Sequence, residues 1–384
     1  FGGRITEIAF EDGTVWTTAD MLFVLDSQRD AASDETLFGG AGADVIAGEG
    51  GNDYIEGRGG DDVYVFARGD GEDIYKDNGT WSTASADVIE IRGYLPAEAQ
   101  FARSSRDGND LVITFAGSND RILVVEGLSG SLSNLIETVR FTDGTALAIA
   151  DIRAGILAGE ATAGADIVTG TDYDDVLTGG PGNDLVLGDG GADVYRFSRG
   201  DGSDVFSDDS SEYDTLEIYG YTPAEVTIAA DAARHNSIVL TFAGTDDRLL
   251  LDQGSNTVHS FDAIVFEDGT VWNRATIEAM ALASVPMDAG ANEFYGYDGS
   301  ETIRAGGGDD LIESRYGTDV LEFARGDGRD TVLNSDPDAL RLIDAVPADI
   351  EILGETFGDG SVTVHILGTR DAIRFENGTS GFNR

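Results

Sequence analysis

Aspartates recur nine residues apart at Asp44, Asp53 and Asp62, and again at Asp166, Asp175, Asp184 and Asp193. A third, degenerate series reads Asn292, Glu301, Asp310 and Asp319. Carboxylates repeated at a fixed interval inside glycine-rich stretches offer oxygen ligands on a chain that can fold back on itself. A hard divalent cation takes about six to eight such oxygens and accepts carboxylates and main-chain carbonyls together. The chain has no cysteine, and its three histidines (His235, His259, His365) are isolated. Thiolate chemistry and imidazole metal clusters are therefore excluded.

The best-formed unit is Gly39-Gly40-Ala41-Gly42-Ala43-Asp44-Val45-Ile46-Ala47, the glycine and aspartate nonapeptide of calcium-binding parallel β-helices. Glycine opens backbone angles closed to other residues and lets neighbouring chain approach closely. Six residues can thus turn, and the last three form a short strand. The residue two after each aspartate is apolar or aromatic (Ile46, Ile55, Tyr64; Val168, Leu177, Val186, Tyr195). It is expected to point into the coil. Stacked units give two parallel sheets around a core too thin to carry the fold alone, and calcium completes it.

Successive turns fall on opposite edges of such a coil, so turn n shares an ion with turn n+2. The pairs expected are Asp44 with Asp62, Asp53 with Asp73, Asp175 with Asp193, Asp184 with Asp204, and Asp310 with Asp330. Asp166 and Asp319 complete the side-chain set. Asp73, Asp204 and Asp330 come from a recurrent Arg-Gly-Asp-Gly phrase and act as last-turn ligands or roll-closing residues. Main-chain carbonyls are expected from Gly39, Ala41, Gly48, Gly50, Gly57 and Gly59 in the first series, and from Gly170, Asp172, Gly179, Pro181, Gly188 and Gly190 in the second. Magnesium suits such turns less well, because it demands octahedral geometry and keeps its waters.

A longer period frames these series. The phrase beginning at Phe10 returns at Phe141 and Phe266, and the Arg-Gly-Asp-Gly phrase stands at Arg68, Arg199 and Arg325. The chain is accordingly divided into a remnant (1–26), two full copies (27–157 and 158–285) and a third copy (286–384) that stops before its own closing phrase. It reads as a section of a longer chain. The 384 residues carry 72 acidic and 24 basic side chains, a net charge of −48. Residues 30–73 alone hold 12 acids against 2 arginines, so the charge is concentrated where the turns are. Nucleic acid, which needs clustered Lys and Arg, is excluded as a partner, and an anionic membrane surface is disfavoured.

These motifs resemble the RTX, or haemolysin-type calcium-binding, repeat proteins. The match is specific over 34–64 and 164–195 and looser over 292–321. The intervening stretches resemble the haemolysin-type calcium-binding related segments of that family. The resemblance implies a calcium-binding parallel β-roll that folds on binding calcium. It also implies a bacterial origin, export through a type I secretion system and an extracellular or cell-surface address. Glu49, Pro181, Asn292 and Glu301 depart from the pattern, and their turns are expected to bind more weakly or not at all.

Between the series lie β-branched runs that read as hairpins over 110–125, 237–251 and 361–375. Further strands are expected at 87–92, 98–104 and 136–141, and short helices at 147–156 and 274–283. The fold class is therefore all-β, with parallel β-roll blocks alternating with antiparallel β-rich capping segments that cover the open roll ends. Trp16 and Trp272 read as core anchors and Trp81 as a surface residue. No H-E-x-x-H or G-x-S-x-G motif occurs, and the Asp336-Pro337 bond reads as a turn. The chain is expected not to be an enzyme. The alternatives are a calcium-stabilised module binding a glycan, peptide or surface, a polyuronate-modifying enzyme, and plain halophilic acidity.

Overall fold

The computed structural model describes residues 7–10, 15–17, 32–78, 86–106, 108–129, 136–208, 212–231, 237–252, 261–285, 289–297, 299–304, 306–315, 317–334, 339–354 and 361–376. Trp81, His235, His259 and the Asp336-Pro337 bond lie outside these residues, as does the side chain of Trp16. The chain divides into two compact units, Phe1–Ile156 and Leu157–Arg384.

Each nonapeptide yields one turn and one short strand, and alternate strands enter opposite sheets. In the first unit Thr36–Phe38, Tyr54–Glu56 and Glu72–Lys76 stack in parallel on one side. Val45–Ala47, Val63–Ala67 and Val88–Arg92 do so on the other. The inward positions form one core: Ile55, Tyr64, Phe66, Tyr75, Ile89 and Ile91 are buried together. Val45, pointing outward, is 73% exposed, while its neighbour Ile46 packs against that core. Period-two alternation separates the two faces.

The segments after each roll do more than cap it. Arg121–Val124 pairs in parallel with Glu72–Lys76 before the chain order turns antiparallel through Leu111–Phe115 and Ala99–Arg103. Thr138–Phe141 pairs in parallel with Val88–Arg92 and then antiparallel with Ala146–Ala148. Both roll sheets thus run on into the non-repeat segment without an edge between them. A Phe66–Phe115 stack, centroids 5.4 Å apart, spans the join.

The second unit repeats this plan. Ile167–Thr171, Leu185–Asp189 and Ser203–Ser207 continue into Arg248–Asp252 and the antiparallel Ile238–Phe242 and Val226–Ala230. The opposite sheet runs Val176–Thr178, Val194–Ser198, Thr215–Tyr219, Ala263–Phe266 and Val271–Asn273. The third roll has the same six-stranded sheet, from Glu293–Tyr295 to Ile350–Gly354, facing a sheet of three described strands. Helices α1 (Ile149–Glu160) and α2 (Arg274–Ala283) follow the first two closing phrases. Trp272 packs on Phe266 at the edge of the second core. No helix among the described residues is long and apolar enough to cross a membrane.

Candidate metal centres

The turns stack so that each aspartate side chain reaches the backbone of the turn two before it. Asp44 N–H donates to Asp62 Oδ1 at 2.8 Å, Asp53 N–H to Asp73 at 3.1 Å, Asp175 N–H to Asp193 at 2.8 Å, Asp184 N–H to Asp204 at 2.9 Å, and Asp310 N–H to Asp330 at 3.2 Å. Asp166 N–H donates likewise to Asp184, and Glu301 N–H to Asp319. The structure therefore brings together all five expected pairs, as columns of carboxylates down the edges of each roll.

One oxygen of each such carboxylate is occupied by an amide. The other oxygens of Asp62, Asp184, Asp193 and Asp204 are buried without a hydrogen-bond partner. These residues are at most 2% exposed. An ionised carboxylate removed from water and left half-satisfied costs several kcal/mol, and the proton affinity responds. Burial, reinforced by neighbouring carboxylates and opposed by the amide bond, pushes Asp73, Asp204 and Asp330 up to about 7 and Asp193 up to about 8. Asp62 and Asp184 move the same way for the same first cause.

Glycine keeps the space beside these oxygens open. A Cβ on Gly57 would come within 3.0 Å of Asp62 Oδ2, on Gly179 within 3.0 Å of Asp184 Oδ2, and on Gly188 within 3.0 Å of Asp193 Oδ2. Of the expected carbonyls, Gly57 O lies against Gly39 and Gly188 O against Gly170, each from the turn stacked two further on. Gly39 O accepts a 3.4 Å bond from the Arg58 guanidinium. Ala41, Gly48, Gly50, Gly59, Asp172, Gly179, Pro181 and Gly190 lie in the same turns. An all-oxygen, glycine-lined, negatively charged cradle fits a hard cation of calcium's kind.

Some turns satisfy their carboxylate locally. Asp166 accepts from the Thr162 amide and hydroxyl, and Asp175 from those of Thr171 at 2.8 and 2.7 Å. Threonine there takes the place of the motif's second glycine. Glu49, at the same position, holds φ at 62°, as Arg58 and Asp189 hold 78° and 66° in the following turns. The replacement of Gly by Glu49 therefore preserves the turn at the cost of left-handed strain. In the third roll, burial beside Asp319 and Glu278 pushes Glu301 up to about 9.

The Arg-Gly-Asp-Gly phrase supplies the final turn on one edge. Gly51 N–H donates to Asp70 O, and Gly182 N–H to Asp201 O. The hairpin turn clamps it: Asp120 accepts from Gly69 N–H and the Tyr94 hydroxyl, and Asp247 from Gly200 N–H and the Tyr221 hydroxyl. Arg68 and Arg199 lie over those tyrosine rings at 3.9 and 4.0 Å. Sequence reasoning missed Asp87 and Asp214, which accept from Asp62 N–H at 2.6 Å and Asp193 N–H at 2.8 Å. They continue the n+2 rule past the last nonapeptide, but at spacings of 25 and 21 residues that break the period.

Comparison with known families agrees with this geometry. The profile of the RTX calcium-binding nonapeptide repeat (4 copies) matches residues 31–64, 160–195 and 295–332. That of the haemolysin-type calcium binding protein related domain matches 110–151 and 238–276. The chain carries the calcium-binding repeats and the related domain of the RTX haemolysin-type family along its length. No curated protein matches it. Among solved structures it is similar to the extracellular lipase LipA from Serratia marcescens, at 16% identity and a TM-score of 0.25, over 56% of this chain and 38% of the lipase. The chain thus spans well under half of that enzyme's length.

Proposed function

We propose that this chain is a calcium-operated folding section of a larger secreted bacterial protein. The observation that carries the reading is the set of buried carboxylate oxygens without hydrogen-bond partners, stacked in columns and lined by glycine. Without a cation these columns hold the folded state back. At low calcium the net charge of −48 keeps the chain extended. At higher extracellular calcium the ion binds the folded state alone and drives folding by mass action.

In the folded roll, Asp44, Asp53, Asp62, Asp73, Asp310, Asp319 and Asp330, with Asp166, Asp175, Asp184, Asp193 and Asp204, hold calcium together with turn carbonyls. The ion supplies charge neutralisation between stacked turns, and the chain itself performs no catalysis. Export through a type I secretion channel, which passes an extended chain, fits such a switch. Circular dichroism of the purified chain, titrated separately with calcium, magnesium and NaCl, tests the reading. Cooperative gain of β signal with calcium alone is expected. A chain already folded in chelator overturns the switch and leaves calcium a structural ion in a glycan- or protein-binding module.

A further inference from the structure

Beyond the last nonapeptide of the second roll, three buried carboxylates converge. Asp193 ends the nonapeptide series, Asp208 follows strand Ser203–Ser207, and Asp214 precedes strand Thr215–Tyr219. One oxygen from each lies within 4.8 Å of the other two. Their exposures are 0%, 1% and 0%. Three anions this close and this dry repel one another strongly, yet the surroundings fix them in place. Asp214 Oδ1 accepts from Asp193 N–H at 2.8 Å, Asp193 Oδ1 from Asp175 N–H at 2.8 Å, and Asp208 Oδ2 from the Tyr195 hydroxyl.

The second oxygen of Asp193 has no hydrogen-bond partner. It faces the space shared with Asp208: a Cβ on Gly188 would come within 3.0 Å of Asp193 Oδ2, Asp208 Oδ2 and the Tyr195 hydroxyl alike. A wholly buried, unpartnered carboxylate oxygen aimed into a cluster of two more carboxylates is the signature of a cation ligand set rather than of a packing accident.

We propose that Asp193, Asp208 and Asp214 form a further calcium site, sharing Asp193 with the last nonapeptide turn and drawing Asp208 and Asp214 from beyond it, that closes the second roll onto the segment following it. Two of its three ligands lie outside residues 160–195, the stretch matched as repeat. The inference rests on the reading that the rolls bind calcium. Three carboxylates favour a divalent, all-oxygen ion, and its seat pins both ends of the connection between Asp208 and Asp214. The first roll carries the same residue types at Asp62, Asp77 and Asp87. There Tyr64 donates to Asp77 at 3.4 Å and Asp62 N–H to Asp87 at 2.6 Å. The third roll does not, since Leu321 stands for Tyr195 and Asn334 for Asp208.

Crystals of the full chain grown in calcium, with an anomalous difference map, test the site. A peak among the three carboxylates, besides peaks in the turns, is expected. Peaks in the turns alone overturn this site and leave the calcium reading standing, whereas no peak anywhere overturns both. Asp208→Asn, which installs the residue the third roll already carries, is expected to lower the bound calcium by one ion per chain in equilibrium dialysis, with β signal retained in saturating calcium. An unchanged count in the folded variant overturns the proposal. The wild-type map decides whether or not the variant folds.

Discussion

At Asp184 the two oxygens of one carboxylate have different tasks. One accepts the Asp166 amide and joins stacked turns, and the other is buried with no protein partner. Asp184→Asn keeps the first task and removes the charge needed for the second. The expected result is a calcium midpoint for folding raised about tenfold, or about 1.4 kcal/mol, with unchanged β signal at saturation. Circular dichroism titration reads it. The opposite kind of change, Gly179→Ala, retains the charge and fills the cradle, because its Cβ would lie within 3.0 Å of Asp184 Oδ2. It is expected to raise the same midpoint while leaving calcium selectivity over NaCl in place. A midpoint that either variant leaves unmoved removes this turn from the calcium sites.

The nonapeptide strands hold their stacking through the turns between them, and Gly191, at the motif's fourth position, is constrained both by its backbone angle and by the turn stacked on it. Gly191 has φ of 106°, and a Cβ there would collide with the backbone of Tyr173 in the turn two before it. Gly200 has a comparable φ of 95° but open space where its Cβ would go. Gly200→Ala therefore carries only backbone strain, on the order of 1 to 3 kcal/mol, and Gly191→Ala carries that strain plus a turn-stacking clash. Urea unfolding in saturating calcium is expected to rank Gly191→Ala below Gly200→Ala. Equal midpoints would place the constraint in the local dihedral alone.

The roll strands were legible in the sequence because glycine, aspartate and an inward apolar residue repeat at one interval. The hairpins at 111–124 and 238–252 were legible from β-branched alternation. How they attach was not: alternation looks the same whether Ile122 faces Ile113 across an antiparallel ladder or Asp73 across a parallel one. Both pairings occur. Asp87 and Asp214 escaped for a related reason, since a connection of irregular length separates them from the turns they serve.

For the whole molecule, the carboxylate columns set a dependence on acid opposite to the usual one. Asp73, Asp204 and Asp330 sit at about 7 and Asp193 at about 8 in the metal-free fold, against about 3.9 for an unfolded aspartate. Between those values the folded chain holds protons that the unfolded chain has released. Folded stability without metal therefore falls as pH rises through that window, and is fully present below about 4. Protons and calcium answer the same need, neutralising buried carboxylates, so they must also compete. In chelator, β signal is expected to grow as pH drops from about 8 toward 5. In calcium, the folding midpoint is expected to move to lower calcium over the same drop, because protons bind the folded columns and not the unfolded aspartates. Paired titrations at constant ionic strength measure both arms. A chelated chain that loses β signal on acidification, or a calcium midpoint indifferent to pH, would mean that these columns are not what restrains the unfolded chain.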